Sequence, residues 1–168
     1  MSSRKIVTQF VAVVALLVAS SALAAVITVG DPGYPTIQSA IDGSAPGDTV
    51  SVPDGTYIES LNIRDAIVLL GQSRDGVVID ASTFDGDVDS DDPVHVVLHD
   101  FTLIGHATGN AAYGLKIAGD DMTADIEDVK VTGSRRSAID LNGLAGAAVN
   151  RVEVGGVAYG VGVGVTDC

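Results

Sequence analysis

The residues best suited to chemistry lie in a few short stretches. The densest is Asp85-Gly86-Asp87-Val88-Asp89-Ser90-Asp91-Asp92, where acids alternate along a polar segment bounded by Pro93. Hard carboxylate oxygens converging from such a segment suit calcium, so Asp85, Asp87, Asp89, Asp91 and Asp92 are the candidate metal ligands. The pattern is incomplete: counted from Asp85, no glycine falls at the sixth position and no acid at the twelfth. The competing expectation is a solvated acidic loop whose carboxylates repel one another unless a cation or salt screens them. Gly119-Asp120-Asp121 offers two adjacent carboxylates, the pair that acid–base hydrolysis of a glycosidic bond uses, although such a triplet is also an ordinary turn. Arg135 and Arg136 stand close in sequence to Asp140, a basic pair beside an acid. His95 and His99 have even spacing and share a face if the chain is extended; His106 follows, but no third ligand at metal spacing accompanies the pair. None of these sets is assigned a catalytic role.

Something must hold these side chains, and an internal repeat says what. Leu98 to Gly105, Ile126 to Gly133 and Val149 to Gly156 each read apolar, two polar, then apolar-x-apolar-x-Gly, at spacings of 28 and 23. Between them lie Gly114 to Gly119, Ala138 to Gly143 and Gly160 to Gly164, at spacings of 24 and 22. Each segment is short, alternating and rich in β-branched residues, so each reads as a strand with one buried face. The gaps are too short for helical crossovers, so parallel pairing of repeat on repeat requires the chain to coil, with coils about 4.8 Å apart. A repeat of this size falls among solenoids. The fold class expected is all-β: a right-handed, single-stranded parallel β-helix. Glycine at the strand ends is expected to supply unusual φ at the corners. In the outward columns Thr102, Lys130 and Glu153 should match, as should Lys116, Asp140 and Gly162, so opposite charges should pair from coil to coil.

Upstream, Ile27 to Val29 reads as a brief strand, and Thr36 can cap a short helix carrying Ile37, Ala40 and Ile41. Such a helix would close one end of the solenoid. Thr49 to Val52, Leu61 to Ile63, Ile67 to Leu70 and Val77 to Ile79 supply further strands. The last visible strand is followed at once by Val165 to Cys168, so the solenoid domain, 25–168, is expected to be the leading part of a longer one.

Residues 1–24 read as a secretory signal: Arg4 and Lys5, the apolar run Phe10 to Ala19, then Ala22-Leu23-Ala24 ahead of the cut. The run is shorter than the ~20 residues that span a bilayer, so no stable membrane insertion is expected after cleavage. Cys168 is the single cysteine, which excludes a lipidated cysteine after the signal and any disulfide within the chain. The formal net charge is −13 and becomes more negative when Arg4 and Lys5 leave, which disfavours nucleic acid. With no Trp and 4% aromatics, an aromatic sugar-stacking platform is not expected.

Thr36-Ile37-Gln38-Ser39-Ala40-Ile41, Pro46 to Val52, Asp54-Gly55-Thr56-Tyr57-Ile58-Glu59 and Leu70-Gly71 together resemble the N-terminal cap and first coil of the pectin-lyase-like superfamily. The resemblance runs from about Ile27 onward and implies the β-helix fold. It implies no one activity, since the scaffold hosts pectate lyases, pectinesterases, polygalacturonases and many right-handed β-helix repeat proteins. The Gly-His-Gly and Arg-Ile-Lys motifs that accompany the aspartate pair of polygalacturonases are absent here, as is the Trp of pectinesterases. The expectation is a secreted, cell-surface or periplasmic β-helix protein that binds polysaccharide or a surface partner without catalysis. The alternative is a fragment of a polysaccharide lyase or glycoside hydrolase acting on acidic polysaccharide.

Overall fold

The computed structural model describes residues 23–82, 88–90, 95–105, 113–119, 122–156 and 162–166. Alternating short apolar segments become the strands β1 (Val26–Thr28), β2 (Thr49–Val52), β3 (Gly55–Tyr57), β4 (Val68–Gly71), β5 (Val77–Asp80), β6 (Val88–Ser90), β7 (His95–Ile104), β8 (Tyr113–Ala118), β9 (Thr123–Thr132), β10 (Ser137–Asn142), β11 (Gly146–Asn150), β12 (Glu153–Gly155) and β13 (Val163–Thr166). Every strand pairing among the described residues is parallel. The chain is a parallel β-solenoid of about five turns, as the repeat requires.

Three walls enclose one core. In the first, Ile27, Val50, Leu69, Leu98, Ile126 and Val149 stand in register, one above another. In the second, Tyr57, Ile79, Leu103, Val131 and Val154 do the same. In the third, Leu115, Ile139 and Val163 form one inner row and Ile117, Leu141 and Val165 the next. Leu69, Ile79, Leu103, Ile117, Val131 and Ile139 are wholly buried, which is where the hydrophobic stabilisation resides. No helix among the described residues is long and apolar enough to cross a membrane.

The first and second walls share the long strands β7 and β9, and the two adjacent polar residues of the repeat explain how. Strict alternation would send the second half of each strand outward after two consecutive polar residues. Asp100, Asp128 and Arg151 instead take left-handed φ of 59°, 51° and 48°, which turns a corner and keeps both halves facing inward. Gly133, one coil above Gly105, has φ of +75°, as a glycine corner should. Gly105 itself is required for a different reason: a Cβ there would lie 2.9 Å from the Cα of Gly114.

The lid is α1 (Ile37–Asp42). Thr36 Oγ1 accepts from the Ser39 amide at 3.1 Å and Ser39 Oγ accepts from the Thr36 amide at 3.0 Å, a reciprocal cap. Glu59 reaches across from the first coil, its two carboxylate oxygens accepting from the amides of Ile37 and Gln38 at 3.0 and 2.9 Å. Ile37, Ala40 and Ile41 are buried against the first coil.

Three expectations need correction. Leu61 to Ile63 is not a strand, although Leu61 and Ile63 are buried: the segment makes a single bridge at Asn62 rather than a ladder. Gly55, expected to close the turn Pro53-Asp54-Gly55, instead opens strand β3. In the last turn Ile139 pairs with Val163 and Asp140 with Gly164, two residues beyond the expected Val161 and Gly162. A slip of two preserves which face is buried, so alternation cannot detect it.

A buried and a half-exposed position of one column should respond differently to truncation. Ile126→Ala, at the buried position, is expected to cost about 2–5 kcal/mol in urea denaturation. Val149→Ala, 40% exposed at the top of the same column, should cost less than about 1 kcal/mol. Ser134 Oγ is fully buried without a hydrogen-bond partner among the described residues, so Ser134→Ala should lie within about 1 kcal/mol of the parent or stabilise it.

Candidate functional site

The outward side of the first two walls carries a polar strip centred on the left-handed corner. β7 sends His95 and His99 outward, and β9, one coil above, answers with Asp125 and Glu127. His95 Nε2 lies 3.5 Å from Asp125 and its Nδ1 2.7 Å from Thr123 Oγ1; His99 Nε2 lies 3.4 Å from Glu127. The two histidines do share a face, but four residues of strand set them ~13 Å apart, too far for one metal ion. Each ring meets a carboxylate rather than the other ring, and the described residues hold no cluster of three metal-type ligands.

At the corner Arg151 gathers two acids. Its Nε and Nη2 donate to Asp128 Oδ2 at 2.9 and 2.7 Å, and Nη2 also reaches Glu127 Oε1 at 2.7 Å. The hydrogen bonds from Arg151 hold the Asp128 carboxyl below the usual Asp range; partial burial opposes this, and the charges of Arg151, Arg74 and His99 reinforce it. The same bonds push the Arg151 guanidinium further above its usual range. Past the corner, Thr102, Lys130 and Glu153 stand in the expected outward column, and Lys130 Nζ lies 3.0 Å from Glu153. At this exposure the pair contributes toward the lower end of ~0.2–1 kcal/mol. Arg74 extends the strip, 3.3 Å from Asp75 and 4.0 Å from Glu153, and its carbonyl accepts from Thr102 Oγ1 at 2.8 Å.

A second set lies on the third wall, where Asp140 of β10 pairs in register with Lys116 of β8, as expected. Asp140 is only 8% exposed although it belongs to the outward row. Burial raises its carboxyl above the usual Asp range, with Lys116 and then Arg136 opposing. Arg135 is exposed. The structure therefore does bring Asp140, Lys116 and Arg136 together, while Gly164 above Asp140 leaves no side chain over it.

Of the candidate calcium ligands, Asp85, Asp87, Asp91 and Asp92 lie outside the described residues, as do Asp120, Asp121 and His106. The backbone of Asp89 is described: it belongs to β6, in register with Lys116 of β8. The corner cluster of Glu127, Asp128 and Arg151 was not singled out from the sequence. Its signal was present, since the two adjacent polar residues recur at His99-Asp100, Glu127-Asp128 and Asn150-Arg151.

The two aspartates should titrate on opposite sides of the ordinary Asp value of 3.8. Asp128 has a lowered folded pKa, so its contribution to stability is present above the unfolded carboxyl value and is lost as pH falls through the folded one. Asp140 has a raised folded pKa, so its burial costs stability at neutral pH and the cost is relieved as pH falls. Carboxyl-detected NMR titration should show this split, and Arg151→Ala should return Asp128 toward 3.8 while leaving Asp140 in place.

No protein-family model matches the chain, and no curated protein matches it. Among solved structures, one that matches is a pectin methylesterase mutant in complex with a hexasaccharide, at 20% identity and a TM-score of 0.48 over 72% of this chain. The match covers 48% of that protein, so this chain corresponds to about half of its length.

Proposed function

We propose that this chain is an exported, non-catalytic β-helix module that binds polysaccharide along the strip from His95 to Glu153. The observation that carries the reading is the strip itself: partly exposed donors and acceptors held at strand and coil spacing on both sides of the left-handed corner. His99, Glu127, Asp128 and Lys130 have side chains between 26% and 32% exposed, open enough to meet a ligand and packed enough to stay in place. Carboxylates and guanidinium groups so held can bond the hydroxyls of an extended sugar chain without ordering new side chains on binding. Asp128 is kept ionised by Arg151, which suits an acceptor rather than a proton donor. The strongly acidic chain disfavours polyanionic glycans unless a cation bridges them, so neutral or amino-bearing polysaccharides fit best.

The enzymatic alternative has one observation in its favour. Asp140, with its carboxyl raised and Lys116 and Arg136 beside it, is the group among the described residues best poised for acid–base work. A single comparison separates the two. The protein should bind on a glycan array and release no product from acidic polysaccharide with or without calcium. Arg151→Ala combined with Lys130→Ala should weaken binding by about tenfold or more, the loss of roughly one charge-assisted bond. Product that disappears with EDTA, or that falls with Asp140→Asn, would replace this reading with the lyase or hydrolase one.

A further inference from the structure

The chain enters β1 at Ala25, and that entry is held by a charge. The backbone nitrogen of Ala25 donates to Asp48 Oδ1 at 2.7 Å, and its carbonyl accepts from the Thr49 amide at 2.8 Å. Asp48 Oδ2 accepts from the Ala45 amide at 2.8 Å. Asp48 is 9% exposed, and the bonds from Ala25 and Ala45 hold its carboxyl below the usual Asp range, with burial opposing. Just upstream, Leu23 is 94% exposed. Among the described residues β1 pairs with β2 alone, so this bond adds to a single ladder that holds the first strand in the stack. The residue so anchored is the one that directly follows Ala22-Leu23-Ala24, the small-x-small pattern that places signal cleavage after Ala24.

We propose that Asp48 is the receptor for the α-ammonium group created when the leader is cut between Ala24 and Ala25. In that hydrolysis the Ala24–Ala25 C–N bond breaks, water's hydroxyl goes to the Ala24 carbonyl carbon, and the Ala25 nitrogen takes up protons to become –NH3+. The atoms already in contact then form an ion pair between two full charges, where before cleavage a neutral amide met the carboxylate. β1 need not move. The uncut precursor lacks this ion pair, so its first strand is held less firmly before export than after it.

The sign of the pH dependence follows from the two partners. Asp48, lowered, contributes above its unfolded value and loses that contribution as pH falls through the folded one. The α-amino group, raised by Asp48, contributes below its unfolded value of about 7.7–8.0 and loses its share as pH rises through the folded one. Asp48, on the loop entering β2, is the ionised group in contact with this nitrogen. The full precursor should be produced in a secreting host, and the mature terminus read by intact mass. Ala25 should be the first residue. Its α-amino pKa, followed by NMR through the Ala25 methyl group, should exceed the ordinary value by about one unit, a tenfold effect on folding. A precursor with Ala-Ser inserted after Ala24 should give a mature protein of lower Tm near pH 6–7, the difference closing as the amine titrates. Asp48→Asn should abolish that difference. A different first residue, an ordinary α-amino pKa in the parent protein, or a Tm difference that survives Asp48→Asn would each overturn the proposal.

Discussion

One constraint governs this molecule: an inward side chain must rest on the equivalent side chain of the coil before it. The strands are too short to be stable as independent hairpins, and no single coil can bury its apolar face alone. Stacking in register solves both problems together. It also dictates the corners, because any residue that breaks the two-residue period must be absorbed by backbone geometry or the next wall would face the wrong way. Asp100, Asp128 and Arg151 absorb it by adopting the left-handed conformation. That conformation costs an L-residue about 1–2 kcal/mol, least for a short polar side chain such as Asp. Arg151 has no such tolerance, and it is the residue tied down by two carboxylates.

The same stacking organises the charge. A chain of net −13 would repel itself if its acids were scattered at random. Here cations of the outer face lie one coil from acids, Lys130 by Glu153 and Arg151 by Asp128 and Glu127, and the rings of His95 and His99 stand beside Asp125 and Glu127. Individually such exposed pairs are weak. Together they offset part of the acidic charge along the outer face and leave a hydrogen-bonding strip there.

Much of the fold was legible because its periodicities are simple. The recurrence of apolar-x-apolar around two polar residues specifies strand, buried face, coil and partner, and the columns at Leu98, Ile126 and Val149 follow directly. The helix lid was legible from Thr36 and the spacing of Ile37, Ala40 and Ile41. What escaped depended on quantities that alternation does not encode. The register of β13 differs by two residues, which leaves the buried face unchanged. The role of Glu59 at the start of α1 needs knowledge of which loop passes the helix. The unusual state of Asp140 arises from burial of an outward position, which its place in the repeat does not announce. The corner cluster was written in the sequence as polar doublets, but a doublet says only that the chain turns, not that the turn collects charges.

The sequence spacing between equivalent residues varies from coil to coil, yet the inward residues keep their partners in register. Coil cross-section and coil length are therefore separate variables. Tandem duplication of one whole turn would add a storey to the shaft, repeat the outer chemistry in phase, and leave the lid undisturbed. The molecule is built in a way that lets its reach change by recombination while its profile stays constant.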